Sequence, residues 1–306
     1  AMSSPGLPLA LIAGPTASGK SGLALTLAER TGGVVINADS AQVYRDLPIL
    51  TNQSTYPTEL LAIWELDHEG SVGEYQRLAH AAVDRALAHG RTPVVVGGTG
   101  LYLRSALVEL DLPPAAPPDA RTRWEEEYDR RGAHVAHERL AELDPAAAAR
   151  VHPNDRRRVV RALELAEFGS SLAPRAARLW TEDMRHPTLV FGLDVPKDVL
   201  DARIATRTRE MFEAGVEDEV RAAVARPVSR TASTIHGLRE IAELPRDQAI
   251  AALNARTKRY AAYQRKWMRR IPGLVTVRAD RPPVEVADEI LEMARARQRL
   301  PAGPAG

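Results

Sequence analysis

Residues 14–21 read GPTASGKS. This is a full match to G-x-x-x-x-G-K-[ST], a loop that cradles phosphates with backbone N–H groups and a lysine. Gly14 and Gly19 let the backbone turn and come close to an anion, and Thr16, Ala17 and Ser18 form the span between them. Lys20 adds a point charge, and Ser21 a hydroxyl suited to a magnesium ion. The apolar run LALIA (residues 9–13) precedes the loop, and Leu23, Ala24 and Leu27 fall on one face of the stretch after it. Strand, glycine loop and helix in succession decide the fold class. They do not name the phosphate-bearing substrate, because one fold hosts many chemistries.

Further along the chain the same alternation continues. Residues 34–36 read as a second strand leading into Asn37-Ala38-Asp39-Ser40, and residues 71–89 as a helix closed by Gly90. Residues 93–96 read as a third strand ending in Gly97-Gly98-Thr99-Gly100, with a helix over 101–108. The pattern predicts an α/β protein with a P-loop NTPase-like parallel sheet flanked by helices. Ligands in such sheets bind beyond the carboxyl ends of the strands. Residues 14–21, 39–42 and 97–100 are therefore expected to line one crevice. Asp39 reads as a metal ligand, a general base or a helix N-cap. Thr99 reads as a ligand-facing hydroxyl or part of a tight turn.

At Leu110 the pattern changes. DLPPAAPPDA (residues 111–120) reads as a linker, residues 121–167 are helical without strand signal, and LVFGLDV (189–195) returns to a strand. A helix over 198–214 and a last short strand over 273–277 follow. The expected organisation is a first core segment over 1–111 and an all-helical insertion domain over 112–186. A second core segment over 187–300 carries a basic C-terminal helix, and 301–306 form a disordered tail.

The 306 residues contain no cysteine, which excludes a disulfide framework, a thiolate metal site and a cysteine nucleophile. No apolar run approaches a membrane span, and AMSSPG at the start does not read as a secretory leader. These features fit a cytoplasmic protein. Net charge is only +1, but residues 253–272 hold seven Lys or Arg without an acid, and residues 150–161 hold five Arg against one Asp. Such runs are nucleic-acid footprints or solvated helix faces. Arg203 and Arg207, four apart, share a helix face from which a phosphate is within reach, whereas Arg209 points elsewhere. Tyr260, Tyr263 and Trp267 form a stripe read as core contacts. His152 and His236 show no metal-ligand spacing and read as ordinary.

GPTASGKS, NADSAQVYR, VVVGGTGLYLRS, DPAAAARVHPNDRRRVVRALEL and TKRYAAYQRKWMRR occur in this order. Together they resemble the tRNA dimethylallyltransferases, from about residue 9 to 270. The resemblance implies that the glycine loop holds the diphosphate of dimethylallyl diphosphate with Mg²⁺, rather than ATP. The acceptor it implies is N6 of the adenosine 3′ to the anticodon, flipped into a channel. Asp39 matches the family's general base, Thr99 its substrate-contacting threonine, and Arg207 the arginine that grips the diphosphate. Matches to tRNA-touching stretches are Asp39, Ser40, Ala41 and Gln42, together with Thr99 and Arg121. Arg157, Arg158, Val159, Val160 and Arg161 match another, and Thr234, Gly237 and Arg239 a third. The implied partner is the anticodon stem-loop of tRNA. No membrane is expected, and with no long apolar stripe left unclaimed the expected state is a monomer.

Two stretches depart from the family pattern. Residues 48–75 are shorter than usual and lack paired histidines. In TASTIHGLREI (231–241) the usual Ile-Gly-Tyr is absent, and Leu238 stands where an aromatic is common. Three rival readings share parts of the sequence. A small-molecule kinase shares the loop but does not predict HPNDRRRVVR or the basic stretch at 256–270. An adenylate isopentenyltransferase needs no wide basic surface. A non-catalytic tRNA-binding protein has no need of intact Lys20, Ser21, Asp39 and Thr99.

Overall fold

Five apolar runs and one very short pairing segment build a parallel sheet. The strands are β1 (Leu9–Ala13), β2 (Val34–Asn37), β3 (Thr58–Glu59), β4 (Pro93–Gly97), β5 (Thr188–Asp194) and β6 (Val275–Arg278). Their order is β3-β2-β4-β1-β5-β6, and every pairing is parallel. The computed structural model describes residues 9–110, 118–167, 184–271 and 273–299. The expected tail 301–306 and most of the proline-rich stretch 111–120 lie outside the described residues. The central strands are apolar on both faces, as a sheet covered on both sides requires. Ile12, Ile36, Val95 and Phe191 are all buried.

The helices are α1 (Lys20–Thr31), α2 (Val72–Ala88), α3 (Gly100–Leu107), α4 (Pro118–Arg131), α5 (Ala133–Leu143), α6 (Pro145–Ala148), α7 (Arg156–Glu167), α8 (Lys197–Glu213), α9 (Val216–Val224), α10 (Arg230–Ser233), α11 (Leu238–Glu243), α12 (Arg246–Met268) and α13 (Pro283–Arg299). Local chemistry sets several of their starts. Ser71 Oγ accepts the Glu74 N–H at 3.1 Å to cap α2, and Asp144 caps α6, with proline at its first turn.

The chain divides into two compact units, Ala1–Glu109 with Trp180–Gly306, and Leu110–Leu179. The second unit packs α4, α5, α6 and α7 around Leu140, Val159, Val160 and Leu163. Within it Arg156 clamps both carboxylate oxygens of Asp129 at 2.8 and 2.7 Å.

In the α/β unit, residues 46–70 are fastened to the α9–α10 region. The Glu219 carboxylate accepts the Ile49 and Leu50 N–H groups at 2.9 and 2.8 Å. Glu69 accepts the Arg230 and Thr231 N–H groups at 3.0 and 2.9 Å, and Arg226 pairs with Asp46 at 3.0 Å. Among the described residues no helix is long and apolar enough to cross a membrane.

Candidate active site

The loops after β1, β2 and β4 line one cavity of about 970 Å³ at the carboxyl ends of the strands. The glycine loop shapes its floor. Ala17 and Gly19 have φ of 65° and 87°, and α1 starts directly behind them. Gly19 takes this left-handed turn at no steric cost. Ser18 Oγ is fully buried with no hydrogen-bond partner among the described residues, and Ser18 lines the cavity. Its hydroxyl packs against Gly14, where a Cβ would lie 2.4 Å from it, so only glycine fits at the start of the loop.

Lys20 and Arg207 bring positive charge to the same cavity. Burial lowers the Lys20 pKa to about 8; the Asp39 carboxylate raises it and the Arg207 guanidinium lowers it. Burial also lowers the Arg207 pKa, against the pull of Asp39. Arg203 lies beside them, 3.5 Å from the Ala17 carbonyl oxygen.

Asp39 is held in a turn of its own making. Its Oδ1 accepts the Ala41 and Gln42 N–H groups at 2.8 and 3.2 Å, and its own N–H donates to Asn37 Oδ1 at 3.1 Å. No helix follows, so the N-cap reading gives way to an Asx-type turn. The buried Asn37 donates to the carbonyls of Asp39 and Leu60 and thereby anchors the turn. Thr99 Oγ1 accepts the Ser40 N–H at 3.3 Å, which joins the β2 and β4 loops.

The opposite wall comes from α12, and here the sequence reading needs correction. The core stripe of α12 is Ala249, Leu253, Thr257, Ala261, Gln264 and Met268. Tyr263 is 63 % exposed, Tyr260 lines the cavity, and the Trp267 ring lies against Gly100. The three aromatics are therefore not one core face. Burial raises the Tyr260 pKa to about 12, with Thr99 and Gln264 as side-chain hydrogen-bond partners. His236, read as ordinary, also lines the cavity. It shares a 2.8 Å hydrogen bond with Thr257 Oγ1 and leans on Tyr260 at 5.7 Å. Burial and then Arg256 lower its pKa to about 4, so it is neutral through the physiological range. Arg256 and Arg259 complete this wall.

The cavity thus gathers Thr16 to Ser21, Asp39 to Gln42, Thr99, Arg207 and Thr234. Gly14 is buried at the end of β1, and Gly237 is buried at the start of α11 with φ 89°. Arg239 is exposed and pairs with Glu243 at 3.1 Å. In the helical unit Arg157 and Arg158 are exposed, Arg161 pairs with Glu164 at 3.1 Å, and Arg121 lies 3.4 Å from Glu125. Val159 and Val160 are 0 % and 1 % exposed. Their side chains hold the core of that unit and cannot meet a ligand at its surface. Among the described residues no cluster of His, Asp or Glu forms a metal site by itself. The cavity lining carries hydroxyl and carboxylate oxygens, Ser21 and Asp39 among them. Oxygens without a dedicated cage suit Mg²⁺, which keeps its waters and leans on substrate phosphates.

A family model described as IPP transferase matches residues 42–271. The chain belongs to the IPP transferase family. A model described as isopentenyl transferase matches residues 7–62. A tRNA dimethylallyltransferase of Streptomyces griseus is 43 % identical over 85 % of this chain and 86 % of its own length. One from Kineococcus radiotolerans is 38 % identical over 95 % and 98 %. Among solved structures, the tRNA isopentenylpyrophosphate transferase of Bacillus halodurans superposes with a TM-score of 0.67 at 30 % identity, covering 95 % of this chain and 98 % of that one. In this IPP transferase family member the glycine loop and the Asp39 turn line the same cavity.

The depressed Lys20 pKa has a measurable consequence. A bound anion favours the ammonium and raises its pKa, so anion binding takes up a proton above pH 8. Affinity for an anionic donor is expected to be flat below about pH 7.5 and to fall by up to about tenfold per pH unit above pH 8. Calorimetry in buffers of different ionisation enthalpy checks this; no proton uptake at pH 9 would refute it.

Proposed function

We propose that the protein transfers a dimethylallyl group from dimethylallyl diphosphate to N6 of the adenosine 3′ to the anticodon in tRNA, releasing diphosphate. The observation that carries this reading is the meeting of Lys20, Arg207 and Asp39 in one cavity, cations beside the glycine loop and a carboxylate across from them. The names of the relatives support tRNA as the substrate.

The reaction breaks the allylic carbon–oxygen bond, and the electron pair leaves with the diphosphate. Lys20, Arg207 and the loop N–H groups stabilise the charge that develops there. Ser21 would hold a magnesium ion beside the loop, and that ion would supply further neutralisation of the departing charge. The N6 amine forms the new carbon–nitrogen bond and becomes acidic as it does so. Asp39 takes its proton, with Oδ1 already committed to the turn. Thr99 orients the acceptor beside Ser40. Gln42, Thr234 and Arg239 on the α/β unit contact the tRNA. On the insertion, Arg121, Arg157, Arg158 and Arg161 meet anticodon-arm phosphates. The protein works as a monomer in the cytoplasm.

Incubation with labelled dimethylallyl diphosphate and unmodified tRNA, AMP or no acceptor tests the proposal. Label is expected in tRNA alone. Label in AMP would select a free-nucleotide prenyltransferase, a reading that the partial isopentenyl transferase match keeps in view. Phosphate transfer from labelled ATP would select a kinase.

A further inference from the structure

Gln264 is 2 % exposed, and it sits near the C-terminal end of α12 on its buried stripe. Its amide has a single consistent orientation. Oε1 accepts the Thr16 N–H at 2.9 Å and faces the Thr16 hydroxyl at 3.3 Å, while Nε2 donates to the Gly98 carbonyl at 2.9 Å. One side chain therefore ties the glycine loop to the turn that carries Thr99. The contact is close on the Gly98 side: a Cβ there would lie 2.4 Å from Gln264 Nε2. One turn earlier on α12, Tyr260 faces Thr99, and three residues later the Trp267 ring lies against Gly100. The helix thus acts as a strut along the whole β4–α3 turn.

We propose that Gln264 is a positioning residue that fixes the separation between the diphosphate loop and the acceptor-side turn, and so the reach of the N6 amine to the allylic carbon. This rests on the prenyl-transfer reading above. Misplacement of reacting atoms by about 1 Å costs on the order of 10²-fold in rate. The diphosphate is held by the loop itself, so the loss falls on kcat rather than on donor binding.

Gln264→Glu is the sharpest test. The ionised carboxylate still accepts from Thr16 but has no proton for the Gly98 carbonyl, and two acceptors face each other in a buried place. Protonation restores the donor. At pH 8, kcat is expected to fall about 10²-fold with the donor KM within about threefold. As pH drops toward 6, kcat should recover at least tenfold, because burial moves the new carboxyl's titration upward. A purely structural role would lower the melting temperature and the active fraction without this recovery toward low pH. A variant with kcat within threefold of wild type, or one with a loss equal at every pH, overturns the proposal.

A second arm uses Gln264→Ala and Gln264→Met, each normalised to folded protein. Each should lower kcat at least tenfold with the donor KM within about threefold, since neither holds Thr16 and Gly98 together. A kcat within threefold of wild type in both overturns the proposal even if the glutamate variant folds poorly. If wild type places no label in tRNA, the prenyl-transfer reading fails. If wild type does so and the Gln264 variants match it, only the strut fails.

Discussion

Asp39→Asn is expected to lower kcat for prenyl transfer by about 10³-fold while donor and tRNA affinities stay within about threefold. The asparagine keeps Oδ1 as the acceptor for the Ala41 and Gln42 N–H groups, so the turn survives. What it loses is the capacity to take a proton. Asp39→Ala removes both roles. It should show a similar loss in kcat and a further stability loss of about 1 kcal/mol, comparable to a missing cap. Single-turnover kinetics separate the two, because binding precedes the chemical step. If the asparagine variant retains near-wild-type kcat, Asp39 is a turn former and not a base. If tRNA affinity falls as much as kcat, its role lies in recognition.

Lys20→Met is expected to cut kcat/KM for the prenyl diphosphate by about 10³-fold, most of it through lost stabilisation of the departing diphosphate. The same change should raise the melting temperature of the ligand-free protein at pH 7. The folded-state pKa of about 8 lies below the ordinary 10.5 because burial penalises the ammonium. The penalty is present in full below pH 8 and fades between pH 8 and 10.5, so the gain in melting temperature should vanish above that window. Such a site trades stability for readiness to meet an anion. Unchanged donor kinetics would remove Lys20 from the phosphate site. A melting temperature that falls at pH 7 would contradict the burial argument.

What was legible in the sequence was local. The glycine loop, the strand-to-turn boundaries at Asp39 and Thr99, and the switch to helices after Leu110 each depend on neighbouring residues. Gln264 was not legible, because its partners lie 248 and 166 positions away in the chain. The one available signal was a polar residue at the spacing of Leu253, Thr257, Ala261 and Met268, where a buried amide must find partners. The same crowded stripe misled the reading of Tyr260 and Tyr263. Helical spacing shows which residues share a face but not what that face meets. Val159 and Val160 sit among arginines and were swept into a contact stretch, although their period marks them as core. The strand β3 has two residues and no apolar run, so nothing in its sequence announced it.

The fastening of residues 46–70 to the α9–α10 region constrains how this enzyme can change. Glu219 and Glu69 each spend a carboxylate on backbone groups of a distant segment, and those backbone groups have no identity for selection to adjust. A longer version of the segment transplanted from a relative would strand Glu219 and take Glu69 away from the Arg230 and Thr231 N–H groups. The two regions should therefore be inherited as a pair, and chimaeras that exchange them together should tolerate the swap that chimaeras exchanging either alone do not.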